Sequence, residues 1–76
     1  MAESKSLQPL QALNSARNQR VIVMLRNNRE FRGILDGYDP HMNIVLRKAE
    51  QIQNGEMLRK HSLVIVRGDN VIYISP

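Results

Sequence analysis

The sequence of 76 residues contains no cysteine and no tryptophan, and its only histidines are His41 and His61. The missing thiols exclude disulfide bonds and thiolate metal sites, and the two histidines do not form a cluster of metal ligands. No apolar run approaches the roughly 20 residues that span a membrane. The first ten residues, MAESKSLQPL, lack the apolar core of a signal peptide. We therefore expect no cofactor, no metal, no membrane association and a location in the cytoplasm.

The chain is long enough for one domain only. A domain of this size buries about 60% of the surface that its unfolded chain exposes, so its stability alone is marginal. Small domains gain stability from disulfides, metals or oligomerisation. With the first two excluded, the sequence favours an oligomer, and a well-packed monomer is the alternative. Lys and Arg number 11 against 7 Asp and Glu, a net charge of +4, which favours an acidic partner such as nucleic acid.

The start of the chain predicts a short helix. Residues 1–6 are polar, and we expect them to be disordered. Apolar residues then recur at three-residue spacing from Leu7 to Leu13, which is typical of an amphipathic helix. We predict this helix over residues 7–17.

Residues 20–75 predict a small β-barrel. Short apolar or alternating segments are separated by turn residues, and Asn54-Gly55 is the strongest hairpin signal. Gly33 lies inside a predicted strand, where glycine marks a bulge, a bend or a close backbone approach. One helix and five short strands joined by tight turns close most economically as a strongly bent sheet or a small barrel. The apolar last two strands would be exposed edges in a monomer, and edge-to-edge pairing between subunits, which can close as a ring, would remove that exposure. The predicted strands are 21–25, 30–38, 44–53, 56–66 and 71–74.

Two segments resemble the two sequence motifs of the Sm and Sm-like (LSm) proteins. Asp39-Pro40-His41-Met42-Asn43 follows the glycine-bent strand, and Ile65-Val66-Arg67-Gly68-Asp69 precedes the last strand. The resemblance covers the chain from about Leu7 to Ile74 and is greatest to the archaeal Sm-like proteins. It implies a helix followed by a bent five-stranded barrel, and a homomeric ring, a heptamer rather than a hexamer. It also implies that single-stranded, uridine-rich RNA binds at the central pore, in RNA processing or ribonucleoprotein assembly.

The resemblance assigns RNA binding to His41, Asn43, Arg67 and Gly68. Sm-like proteins place the matching positions around one base, where a flat imidazole and a planar guanidinium can stack on it. The Asn43 amide offers one kind of donor and one acceptor. Uracil presents an acceptor at O4 beside a donor at N3, whereas cytosine presents the reverse order. Gly68 has no Cβ, so its backbone can approach a ligand closely.

Three further residues are candidates for a supporting role or for a second RNA site. Asp39 or Asp69 could accept a hydrogen bond from the Asn43 NH₂ group and so fix its orientation. Tyr38 could stack a second base, as a second RNA site, on the face of the barrel that carries the helix. Alternatively, its ring packs against the barrel rim with the hydroxyl in water.

Two other functions remain open at this point. A monomeric OB-like or ribosome-associated β-barrel would share the charge and the strands, but its binding face is rich in aromatics. The aromatic residues here are only Phe31, Tyr38 and Tyr73. A scaffold ring that binds proteins is the second alternative. We expect no enzymatic activity, because the sequence has no nucleophile in a recognisable setting, no phosphate-binding glycine loop and no metal-ligand spacing.

Overall fold

A computed structural model describes residues 9–76 of the chain. The predicted disorder of residues 1–6 and the predicted helix start at residue 7 lie outside the described residues. The described strands form one antiparallel sheet in the order β4-β3-β2-β1-β5, and each predicted strand boundary lies within one residue of the observed one. The elements are helix α1 (Pro9–Ala16), β1 (Arg20–Leu25), β2 (Arg29–Tyr38), β3 (Ile44–Gln53), β4 (Glu56–Val66), a 3₁₀ turn (Gly68–Asn70) and β5 (Val71–Ser75).

Helix α1 packs against the sheet mainly through Leu13, which is buried. Pro9 occupies the first helical position, where its missing N–H is not needed by the helix. After the helix, Asn18 adopts a left-handed conformation, φ 66°, which asparagine tolerates well. Its backbone N–H donates to the Leu35 carbonyl at 2.7 Å, and the Leu35 N–H donates to the Gln19 carbonyl at 3.0 Å. These two bonds attach the chain between helix and sheet to β2.

The core lies between the bent faces of the sheet and follows the period-two alternation of the strands. In β1, the inward residues Val21, Val23 and Leu25 are buried, while the residues between them are partly exposed. Fully burying an aliphatic side chain of this kind contributes roughly 1.5–3 kcal/mol. The other buried members of the same cluster are Leu13, Leu35, Ile44, Leu46, Ala49 and Val66.

Gly33 marks the place where β2 and β3 approach and bend. A Cβ at Gly33 would lie 3.0 Å from the Arg47 carbonyl oxygen and 3.1 Å from the Ala49 Cα. The pairing register shifts at this point of β2, and Lys48 opposite has a positive φ of 51°. An extra residue in one strand bends a sheet and increases its twist. The predicted bend at Gly33 is therefore confirmed.

The two hairpin turns meet at one end of the sheet, which we call the hairpin end. The β1–β2 turn has two left-handed residues, Asn27 at φ 65° and Asn28 at φ 58°, and the β3–β4 turn has Asn54 at φ 50° and Gly55 at φ 83°. The two positive φ values of Asn54 and Gly55 match the twist of a two-residue hairpin, whereas the β1–β2 connection has three residues, 26–28. The Asn54 N–H donates to the Asn28 carbonyl at 3.3 Å, so the two turns lie side by side.

The strands β4 and β5 form the two edges of the sheet. Both carry large apolar side chains that are more than half exposed: Leu63 at 54% and Ile65 at 68% in β4, and Ile72 at 61% and Tyr73 at 51% in β5. Unpaired strand edges with apolar side chains tend to pair with another chain. The edge exposure expected for the last two strands is thus present in the folded chain.

Candidate nucleic-acid interface

The connection 39–43 between β2 and β3 and the connection 67–70 between β4 and β5 lie next to each other, at the opposite end of the sheet from the hairpin end. Cross-strand pairing brings them together, because Tyr38 is opposite Ile44 and Ile44 is opposite Val66. We call this the pocket end. The sheet therefore places the four residues predicted to bind RNA on two adjacent connections.

Asp39 organises the first of these connections. Its Oδ1 atom accepts hydrogen bonds from the backbone N–H of His41 at 2.9 Å and of Asn43 at 3.0 Å. Its own N–H donates to the Asn43 carbonyl at 3.1 Å, and its carbonyl accepts from the Met42 N–H at 3.0 Å. Four bonds thus close the loop on itself, and Met42 is held in it at a positive φ of 67°.

The Asn43 amide is held at both of its ends. Its Nδ2 atom donates to Asp39 Oδ2 at 3.0 Å, and its Oδ1 atom accepts from the Gly68 backbone N–H at 2.7 Å. A flipped amide would point NH₂ at the Gly68 N–H and its oxygen at the Asp39 carboxylate. Each partner left unsatisfied costs about 1–3 kcal/mol, so one orientation of the amide is strongly preferred. Of the two carboxylates that the sequence proposed for this role, the structure selects Asp39.

The same bonds affect the ionisation of Asp39. The Asn43 side-chain amide, which has the largest influence, lowers the pKa of Asp39 below its ordinary value. Partial burial opposes this effect, and the backbone bonds from Asn43 and His41 add to it. Hydrogen bonds to the charged form of a carboxyl favour that form. Asp39 is therefore a carboxylate, and an acceptor for the amide, at neutral pH.

Glycine is required at position 68 because the two connections of the pocket end touch there, backbone against backbone. A Cβ at this position would collide with the His41 carbonyl oxygen and would lie 2.9 Å from the Met42 carbonyl carbon. Gly68 does serve a close approach, to the backbone of residues 41–42, and the approach of a ligand to its backbone stays a prediction. The two connections are in direct contact here, because no side chain separates them.

His41, Arg67 and Asp69 lie in solvent around this contact. The Arg67 side chain is 78% exposed and has its Nε atom 3.8 Å from Asp69 Oδ1, which is itself on an exposed side chain. Exposed ion pairs contribute about 0–1 kcal/mol, so the guanidinium is free to move. Asp69 does not bond to the Asn43 amide, and its predicted supporting role is wrong in that form. The His41 side chain is also exposed.

Tyr38 connects the pocket end to the helix. Its ring packs against the core, and its hydroxyl lies 3.3 Å from Asn14 Oδ1 and 3.4 Å from the Leu10 carbonyl, both on α1. The rim-packing interpretation gains support, with one correction: the hydroxyl contacts the helix and is not left to water alone. Its use as a second RNA site stays a prediction.

Two apolar residues near the pocket were not selected from the sequence. Val45 and Ile65 line an open cavity of about 460 Å³ together with Tyr38, Asp39, Asn43 and Arg67. Val45 on β3 lies opposite Ile65 on β4, and both side chains face away from the core. The period-two alternation of β3 and β4 could have identified them, because it places these apolar residues on the outer face of the sheet. Apolar residues on an outer face next to a polar motif indicate a binding surface.

Residues 11–76 match the model of the LSM domain. The chain is 57% identical over 68 residues to the snRNP Sm-like protein of Methanococcoides burtonii, which covers 90% of this chain and 94% of that protein. The chain belongs to the LSM domain family. This membership confirms the resemblance seen in the two motifs and removes the OB-like alternative.

Solved structures of LSM proteins have the same fold. The Sm protein of Pyrococcus abyssii, solved in complex with a uridine heptamer, is 44% identical, with a TM-score of 0.89 over 92% of this chain and 99% of that chain. A heptameric archaeal Sm protein is 41% identical, with a TM-score of 0.80 over 87% of this chain and 96% of that chain. The predicted Sm fold, a helix followed by a bent five-stranded antiparallel sheet, is confirmed.

Two further features are absent from residues 9–76. No helix in this range is long and apolar enough to cross a membrane. Nor does this range contain a group of three His, Asp or Glu side chains placed to hold a metal ion.

Proposed function

We propose that this LSM chain forms a homomeric ring, with seven subunits favoured over six, that binds single-stranded, uridine-rich RNA at its central pore. It acts in RNA processing or ribonucleoprotein assembly in the cytoplasm, as a binding protein without catalysis of its own. The observation that carries this proposal is the Asn43 amide, fixed by Asp39 on one side and by Gly68 on the other.

The amide supplies the base preference. An amide group has two N–H donors and two lone pairs on its oxygen, and the protein uses one of each. The remaining N–H can donate to uracil O4 while the remaining lone pair accepts from uracil N3–H. Cytosine would place a donor against the donor and an acceptor against the acceptor. A well-formed pair of this kind discriminates by about 1–3 kcal/mol.

His41 and Arg67 supply the affinity for the base. Both side chains are exposed beside the amide, and the imidazole and the guanidinium can each stack on a base. Stacking of this kind contributes roughly 1–3 kcal/mol for each base. One such pocket binds weakly, and identical pockets around a ring gain avidity of about 10²–10⁴ because each later contact is intramolecular.

The ring is supported by the exposed edges and by the relatives. Leu63 and Ile65 on β4 and Ile72 and Tyr73 on β5 are large apolar side chains that lie more than half exposed on the two open edges. Pairing β4 of one subunit with β5 of the next buries these residues and leaves no open edge around the ring. The heptameric archaeal Sm protein, 41% identical, has the same fold.

Native mass spectrometry with and without oligouridine tests the proposal. We expect a closed ring of about seven 8.8 kDa subunits whose affinity for uridine oligomers rises with oligomer length and falls with added salt, because phosphate contacts release counterions. A stable monomer would contradict the ring. Equal affinity for oligouridine, oligocytidine and oligoadenosine at matched salt would contradict base reading and favour a protein-binding scaffold.

A matched pair of arginine variants separates the pocket from general charge. Arg67→Ala removes the exposed guanidinium beside Asn43, and Arg32→Ala removes an arginine that is paired with Glu30 at 2.6 Å. Both variants lose one positive charge. We expect Arg67→Ala to lose most of its affinity for a uridine heptamer while Arg32→Ala keeps it. Similar losses in both intact rings would mean that charge, and not the pocket, holds the RNA.

A further inference from the structure

The fixed amide of Asn43 fits more than one base. Guanine and hypoxanthine carry an acceptor at O6 beside a donor at N1–H, which is the same order as O4 and N3–H of uracil. Adenine carries the order of cytosine, with a donor at N6 beside an acceptor at N1. We propose that this pocket recognises the keto edge shared by uracil, guanine and hypoxanthine, so that its ligands include guanosine- and inosine-containing RNA. This inference rests on the function proposed above.

The site has room for a purine. An open cavity of about 510 Å³, larger than a purine base, lies beside the amide. The two groups that would stack on the base, on His41 and Arg67, are both on exposed side chains and are not held at a fixed separation by contacts in residues 9–76. Stacking is tolerant of base identity, because every base has a flat face. The cavity is lined by His41, Met42, Asn43, Arg67, Gly68 and Asp69.

The fixed orientation of the Asn43 amide also disfavours adenine. Reading adenine or cytosine requires a flipped Asn43 amide, and the flip would set donor against donor at Gly68 and acceptor against acceptor at Asp39. The Asp39 carboxylate and the Gly68 backbone N–H are both held in place by the contact between the two connections, so neither can reorient to accommodate the flip. The site therefore selects a base by the order of donor and acceptor at its edge. The open cavity does not select between a purine and a pyrimidine by size.

The test compares ligands that differ only at this edge. Inosine and adenosine are both purines of nearly equal size, and uridine and cytidine are the corresponding pyrimidine pair. Four heptamers, U7, UCUCUCU, UIUIUIU and UAUAUAU, compete against labelled U7 on the intact ring at matched salt, at nanomolar concentrations where such short strands do not pair. We expect the inosine heptamer to bind at least about tenfold more tightly than the adenosine heptamer, since one bidentate contact alone is worth about 5- to 150-fold.

Each outcome has a separate meaning. Preference for U over C together with preference for I over A supports the keto-edge proposal. Preference for U over C with equal binding of I and A overturns it and leaves uridine recognition in place. Equal binding of all four overturns both. The Asn43→Asp variant, once shown to be a ring, should lose both preferences, and an inosine preference that survives in it would place its origin elsewhere.

Ligand modification gives the same test without changing the protein. A methyl group on N3 of uridine or on N1 of inosine removes the N–H group that would donate a hydrogen bond to Asn43 Oδ1. We expect both methylated heptamers to fall to the affinity of the cytidine and adenosine heptamers. Loss with methyluridine alone would overturn the proposal, because inosine would then be held by some other contact.

Discussion

The two ends of the sheet are built in different ways, although each consists of two chain connections lying side by side. At the hairpin end, the connections meet through one backbone hydrogen bond, from Asn54 to Asn28. At the pocket end, the Asn43 side chain joins a carboxylate of its own loop to the backbone of the other connection, 25 residues away in the sequence. The hairpin end depends on local turn residues, and the pocket end depends on a contact between distant segments.

Glycine replacements should show the largest difference between the two ends. Gly68→Ala places a Cβ against the carbonyl groups of residues 41 and 42, which are backbone atoms and cannot move aside. We expect a loss of about 3 kcal/mol in unfolding free energy, the upper end of the usual range for overpacking, or more. Denaturant unfolding at matched subunit concentration measures it.

Two other glycines provide the controls for Gly68→Ala. Gly55, at the hairpin end, has open space around it but a φ of 83°, so Gly55→Ala should lose about 1–2 kcal/mol through backbone strain alone. Gly37 has open space and no such strain, so Gly37→Ala should have little effect. If Gly68→Ala were as stable as Gly37→Ala, the two connections at the pocket end would not be in contact.

Changing the amide to a carboxylate should have the next largest effect. Asn43→Asp keeps the bond from the Gly68 N–H but sets a second carboxylate against Asp39 in place of a donor at 3.0 Å. We expect a loss of about 1–3 kcal/mol in stability at neutral pH, the usual effect of a lost partner, together with the loss of uridine preference. The loss of stability should shrink on acidification, because one proton shared by the pair relieves the repulsion. Unfolding curves at pH 7 and pH 5 check this, and equal losses at both would rule out a carboxylate pair.

Acid should weaken the pocket end of the unmodified chain as well. The pKa of Asp39 is lowered in the folded state, chiefly by the Asn43 amide, so the unfolded chain binds a proton more readily than the folded one. The stability from this carboxylate is fully present above the ordinary Asp value of about 3.9 and is lost as pH falls through the lower folded value. Asp39→Asn lacks this contribution, so the stability gap between the two proteins should narrow below about pH 4. A gap that stays constant from pH 6 to pH 2.5 would contradict the assignment.

The smallest effect is expected at the hairpin end. Leu58 is 55% exposed and lies at a register shift where β4 pairs with β3. Leu58→Gln should change the unfolding free energy by no more than about 0.5 kcal/mol, as surface substitutions usually do, and should leave uridine binding unchanged. A loss above about 1 kcal/mol in the assembled protein would show that this end of β4 is buried by a neighbour.

The contrast between the ends also explains what could be predicted from the sequence. The strand bounds and the Asn54-Gly55 turn follow from alternation and local conformational preference, which act within a few residues. The choice of Asp39 over Asp69 as the partner of Asn43 could not be predicted, because both lie in the same two motifs and only the folded geometry brings one of them to the amide. The contact between Gly68 and the His41 backbone could not be predicted, because the sequence does not show that these two segments lie together. The helix contact of Tyr38 was missed for the same reason.

The bond from the Gly68 N–H to Asn43 Oδ1 joins two segments of a single chain, so the connections that carry the four residues proposed to bind a base come together within one subunit. In the proposed ring, the units of recognition are therefore separate and interchangeable. Subunits with an altered residue 43 could be mixed with unaltered ones, and each would change the base accepted at one place along the bound strand. A gene duplication followed by divergence could convert a ring that selects one kind of base into a ring that selects an ordered sequence of them.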